Sequence, residues 1–145
     1  MAYYDSFNEV FERISAYTLQ LEQTPLEEYR ASSEARAAFL QTLEAAENDM
    51  EWLVDEIRIS QDNLEEIKHL KLNASKYNPP NEAFIAKSIA ARDRFAACFP
   101  TVKDIVLDGS HEEIDEHTLD GAEASATYIK IALEEDLTPR PWGKK

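Results

Sequence analysis

The strongest constraint in this chain is a heptad ladder in its middle. Phe39, Leu43, Ala46, Met50, Leu53, Ile57, Ser60, Leu64 and Ile67 follow one another in steps of four and three, and no Gly or Pro falls between Pro25 and Pro79. Such spacing keeps one stripe of a helix turned toward a partner helix for about four heptads. It predicts a long helix at the centre of an all-α domain. Three glycines and six prolines in 145 residues leave little material for a turn-rich β fold. The length suits one domain with one core over residues 1–138, stable without disulfide or structural metal. Residues 139–145, beyond Pro139 and with Trp142 as their one sticky side chain, read as a flexible tail.

About four main helices are expected. The first opens at Ser6, which has Glu9 three residues on as a capping box, and buries Phe7, Val10, Ile14, Tyr17 and Leu21. The next start is marked by Thr24 as cap, Pro25 at the first helical position and Glu27 closing the box. From there helical pattern runs to about Tyr77. One helix of that length would span roughly 75 Å, so a break near Ser32-Ser33 is the preferred reading. Asn78-Pro79-Pro80 stops this stretch, and a third helix follows to Phe99 with Phe84, Ile85, Ile89, Phe95 and Phe99 inward. Thr101 to Leu107 reads as a short helical connector ended by Asp108-Gly109. Ser110 and Glu113 form the box of a last helix, whose inner face is Ile114, Thr118, Ala122, Ala126, Ile129, Leu133 and Leu137. Gly121 lies inside it, either as a cost of about 1 kcal/mol relative to Ala or as a point of close packing.

The central helix is apolar beyond its seam. Ala38, Ala45, Trp52 and Ile59 form a second stripe at seven-residue spacing, and Leu40 and Val54 widen the first. An arc that broad needs neighbours on two sides. A helical bundle therefore fits better than a two-stranded coiled coil, and the second stripe could alternatively serve a homodimer.

Charge supplies the functional signal. The chain carries 29 acids and 15 bases, a formal charge of −14. Leu43 to Glu66 holds nine acids and one base, Asp104 to Asp136 eleven acids and one base, and the remainder is net positive. The excess therefore sits on two helical stretches, which would make one strongly negative face if they lay side by side. A chain of this sign repels phosphates, so direct nucleic-acid binding is not expected and electrostatics would select a basic protein partner. The solubility that such charge confers is the competing explanation.

Chemistry finds little footing. Cys98, the single cysteine, excludes an intrachain disulfide and reads as a small buried hydrophobe within Phe95-Ala96-Ala97-Cys98-Phe99. Glu66-Ile67-Lys68-His69 is one Glu-x-x-His motif where a di-metal bundle needs two, and His111 and His117 are six residues apart, off a common helical face. No metal or cofactor is expected. Glu44-Ala45-Ala46-Glu47 fits half of the Mg²⁺ motif of an all-α nucleotide pyrophosphohydrolase. The other half would come from Asp62-Asn63-Leu64-Glu65 in reversed order, or from Glu112-Glu113-Ile114-Asp115. Isolated glycines at 109, 121 and 143 give no phosphate loop, and no triad material is present, so no catalytic residue is assigned. The start, Met1-Ala2-Tyr3-Tyr4-Asp5, has no signal-peptide character, and no apolar run reaches the ~18 residues of a membrane span, so a cytoplasmic location is expected.

The functional expectation is a non-enzymatic acidic module that blocks or neutralises a basic partner. A nucleic-acid-processing enzyme or a toxin would suit, with rows of carboxylates standing in for nucleic acid. The partner-binding candidates are Glu44, Glu47, Glu51, Asp55, Asp62, Glu112, Glu113, Glu116, Asp120 and Glu123. The alternatives are a self-associating structural or assembly-chaperone protein using the central helix, and the Mg²⁺-dependent hydrolase.

Overall fold

The computed structural model describes the backbone of residues 3–70, 82–108 and 114–138, and the side chains of 7–66, 82–108 and 114–138. The described chain is all-α, without a strand. Its helices are α1 (Tyr3–Gln23), α2 (Leu26–Ala31), α3 (Ser33–Leu70), α4 (Glu82–Ala97), α5 (Phe99–Leu107) and α6 (Glu116–Glu134). At 38 residues α3 is the long central element, about 57 Å from end to end. The break expected near Ser32-Ser33 is real: Ser32 is extended between α2 and α3, and its hydroxyl oxygen accepts from the Ala35 amide at 3.1 Å. That capping bond satisfies one of the amide groups a helix start leaves unpaired.

The seam of α3 is the core. Phe39, Leu43, Ala46, Met50, Leu53, Ile57 and Ser60 are all buried, and Leu64 is half-buried against the same cluster. Each large side chain fully buried there contributes about 1.5–3 kcal/mol by leaving water. Two neighbours flank the stripe, as its width requires. α1 runs antiparallel on one side: Phe7 packs edge-on to Trp52 at 4.7 Å, and further along α1 the Arg13 guanidinium grips the Asp49 carboxylate with two bonds of 2.9 and 2.8 Å. Tyr17 adds a hydroxyl donated to Asp49 at 3.2 Å, and burial, then the Asp49 charge, push its phenol above the ordinary value. α6 covers the other side, burying Leu40 and Val54. The second stripe behaves differently: Ala38, Ala45 and Ile59 are exposed, and Trp52 alone of the four is half-buried.

α4 lies on α1 in the same direction. Phe84 meets Phe7 at 4.1 Å, the Lys87 ammonium sits 4.9 Å over the Phe11 ring, and Arg94 pairs with Glu22 at the far end. α5 then carries the chain back to the start of α3. There Arg36, only 1 % exposed, donates from Nε to the Ile105 carbonyl at 2.9 Å and from Nη2 to that of Val106 at 3.1 Å. A buried guanidinium is tolerable here because the last carbonyls of a helix are orphan acceptors at the negative end of its dipole. The same device closes α6: Arg92 of α4 donates to the Leu133 and Glu135 carbonyls, while Gln61 and Arg58 of α3 hold those of Leu137 and Thr138. Since α4 and then α5 return the chain to the head of α3, α6 descends parallel to α3.

Several helix boundaries differ from expectation. α1 begins at Tyr3, before Ser6, so Ser6 is inside the helix and no cap. Thr24 does not cap α2: its amide still bonds the Gln20 carbonyl of α1, and Pro25, extended at φ −61° and ψ 146°, takes the cap position. α4 ends at Ala97, and Phe99 and Pro100 already belong to α5, because Pro lacks only an amide that the first turn leaves unpaired anyway. The last helix starts at Glu116, capped by Asp115 accepting from the His117 amide at 3.2 Å, with buried Ile114 anchoring the approach. Ser110, Glu113, the Asn78-Pro80 stop and residues 139–145 lie outside the described residues.

Gly121 does not mediate close packing. It is exposed, and a Cβ built there meets nothing within 4 Å. Gly121→Ala is therefore expected to raise stability by about 1 kcal/mol in denaturant unfolding, and a destabilised protein would contradict this packing. Arg36→Ala is expected to lose roughly 3 kcal/mol in the same assay, since it orphans two buried carbonyls and empties a buried site; a loss under 1 kcal/mol would contradict the assigned role.

Candidate partner-binding surface

The two acid-rich stretches do lie side by side. Between α3 and α6 runs a surface furrow in two stretches. In the upper one Glu44, Glu47 and Asn48 of α3 face His117, Gly121 and Ser125 of α6 around a hollow of about 380 Å³. In the lower one Glu51, Asp55 and Arg58 face Tyr128, Ile131 and Glu135 around about 280 Å³, over a floor that includes Val54 and Ala132. The rising residue numbers on both walls confirm that the helices are parallel. Four of the ten candidates, Glu44, Glu47, Glu51 and Asp55, thus form one wall, three or four residues apart and neighbours on one helical face.

The other candidates are distributed differently. Asp62 is exposed further along α3, beyond both stretches, and takes part in an interaction of its own. Glu116 and Asp120 are exposed on α6 but line neither stretch of the furrow. Glu123 turns to the opposite side of α6, where with Lys103 and Lys130 it borders a cleft of about 340 Å³ floored by Phe99, Val106 and Ala126. Glu112 and Glu113 lie outside the described residues. None of the described α6 candidates completes the furrow wall; the carboxylate that lines the furrow from the α6 side is Glu135, in the lower stretch.

Sequence reasoning missed Tyr128 and Ile131. Both are apolar and off the inner face of α6, and they stand 52 % and 57 % exposed in the lower furrow. Their spacing of three, out of phase with Ala126 and Ile129, was the available signal. It also missed Arg36, although stepping the seam back by three from Phe39 lands on it.

Among the described residues no three His, Cys, Asp or Glu side chains gather as a metal site. The Glu44–Glu47 and Asp62–Glu65 pairs are 18 residues apart along one continuous helix, roughly 27 Å, so they do not converge on one ion. Asp115 is engaged as the α6 cap. His69 and His111 lie outside the described side chains, and His117 is exposed at the head of the furrow. Comparison of the chain with protein families, curated proteins and solved structures finds no match. No helix among the described residues is long and apolar enough to cross a membrane.

Cys98 is half-buried at the α4–α5 turn, and burial first, then the Glu22 charge, push its thiol up, with Arg94 acting in the opposite sense. The reactive thiolate is thereby disfavoured at neutral pH. Alkylation by iodoacetamide is expected to be slower than for free cysteine at neutral pH and to keep accelerating above pH ~8.5, the ordinary thiol value. A rate equal to or above that of free cysteine would contradict this environment.

Proposed function

We propose that this protein is a stoichiometric binder that docks its α3/α6 face onto a basic surface of another protein, and by covering that surface blocks or neutralises it. A nucleic-acid-processing enzyme or a toxin has such a surface. The observation that carries the reading is the furrow wall of Glu44, Glu47, Glu51 and Asp55, four carboxylates in file on one rigid helix. Among the described residues that line the furrow the one Lys or Arg is Arg58, already engaged with Glu135 at 3.6 Å and with the Thr138 carbonyl. Four like charges in file repel one another, and a cationic partner converts that cost into attraction and faster encounter. Mounting them on the most firmly packed helix keeps their spacing fixed before binding, which lowers the ordering cost of association.

The acidity also argues for protein over nucleic acid as the target, since a net −14 chain adds to phosphate repulsion. No catalytic step enters this reading: the face works by shape and charge alone.

The test pairs two baits in host lysate, the natural chain and a variant with Glu44, Glu47, Glu51 and Asp55 all changed to Lys. Each reversal adds two charges, moving the net from −14 to −6. A basic protein that elutes from the natural bait with moderate salt and binds the variant at least about tenfold more weakly is the expected result. Helicity is expected to be unchanged, because these side chains project from the furrow wall. Equal retention on both baits would sink the proposal.

A further inference from the structure

We infer that the α3/α6 furrow receives an amphipathic basic helix of the partner, with Tyr128 and Ile131 taking its apolar side chains and Glu44, Glu47, Glu51 and Asp55 its lysines and arginines. This rests on the reading of the acidic face as a docking surface and specifies what docks there.

Charge alone does not explain the furrow. A surface that only imitates a phosphate track has no use for an exposed tyrosine and isoleucine, yet both stand in the lower stretch above Val54 and Ala132. Three residues apart, they project from one face of α6 and match the i, i+3 and i+4 ridge of a helix laid into a groove. Glu51 and Asp55, the lower half of the carboxylate wall, line the same stretch across from them. An occupant must therefore be apolar toward α6 and cationic toward α3, which is the chemistry of an amphipathic helix whose lysine stems cover apolar surface while their heads reach carboxylates.

In the upper stretch Ser125 is 6 % exposed and lines the hollow, and no hydrogen bond joins its hydroxyl to a described residue. That hydroxyl is free to exchange a hydrogen bond with an occupant beside Glu44 and Glu47. Gly121, with open space where a Cβ would stand, keeps the hollow deep. From Leu40 to Arg58 the two stretches cover 18 residue steps of α3, about 27 Å, room for a helix of about five turns.

The test uses fluorescence anisotropy at low ionic strength with two synthetic peptides of furrow length and equal charge. One is a helical Leu/Lys peptide with its leucines on one face, and the other a Gly/Ser/Lys peptide without apolar residues. The Leu/Lys peptide is expected to bind at least about tenfold more tightly. Tyr128→Ser with Ile131→Ser is expected to abolish that advantage while leaving the Gly/Ser/Lys peptide unaffected. Gly121→Gln places a side chain in the furrow and improves helix propensity. It is expected to weaken Leu/Lys binding with no fall in Tm, which separates blocking from unfolding. Equal binding of the two peptides, or an advantage that survives both variants, overturns the furrow inference and leaves the charge-only reading standing. Failure of both peptides to bind overturns both readings.

Discussion

The apolar stripe of α3 is the constraint on which the rest of this fold depends. α1, α2, α4 and α6 all pack on this helix, and α5 is tied to it through Arg36. Because the stripe holds to a heptad repeat, the flanking helices follow the length of α3. Because α4 and α5 return the chain to the head of α3, α6 lies parallel to it. That parallel pairing, a consequence of connectivity, is what places the two most acidic stretches of the chain next to each other.

Where the bases go explains why that face stays acidic. Arg36 and Arg92 are turned onto helix-end carbonyls, Arg58 onto the chain that leaves α6, and Arg13 and Arg94 join α1 to its neighbours through Asp49 and Glu22. Arginine suits these tasks because its planar fork donates two well-directed bonds at once. Five of the fifteen bases are thus committed to holding helices together, and the outward carboxylates of the furrow wall are left facing solvent. The structural economy and the proposed docking face are two sides of one allocation of charge.

Periodicity made the architecture legible. The seam residues from Phe39 to Ser60 are found where spacing puts them, the break at Ser32 where helix length and the serine pair put it, and the connector ends at Leu107 as expected although it begins at Phe99. What it concealed were features that depend on partners distant in sequence. Arg36 looks polar and surface-bound until the α5 carbonyls 69 and 70 residues away reach it. Ser6 and Thr24 satisfy local capping rules, yet α1 continues through both ends of its expected span because helical bonding persists there. For the candidate surface, composition located the acid-rich helices but not their rotation about their axes. Glu44 to Asp55 turned out to share a wall, while Glu123 faces the far side of α6. Tyr128 and Ile131 carry no charge and stood outside a search guided by charge.

The reading joins a rigid scaffold to a face whose worth lies in spacing: carboxylates in file, an apolar pair opposite, and a furrow between. Carboxyl-selective labelling with a carbodiimide and an amine, read by mass spectrometry on the free protein and on its complex with the captured partner, tests this most directly. Loss of labelling at Glu44, Glu47, Glu51 and Asp55, with Glu9, Glu12, Glu27 and Glu28 on the exposed faces of α1 and α2 labelled as before, is the expected result. Protection of the α1 and α2 carboxylates with the α3 wall unchanged would contradict it.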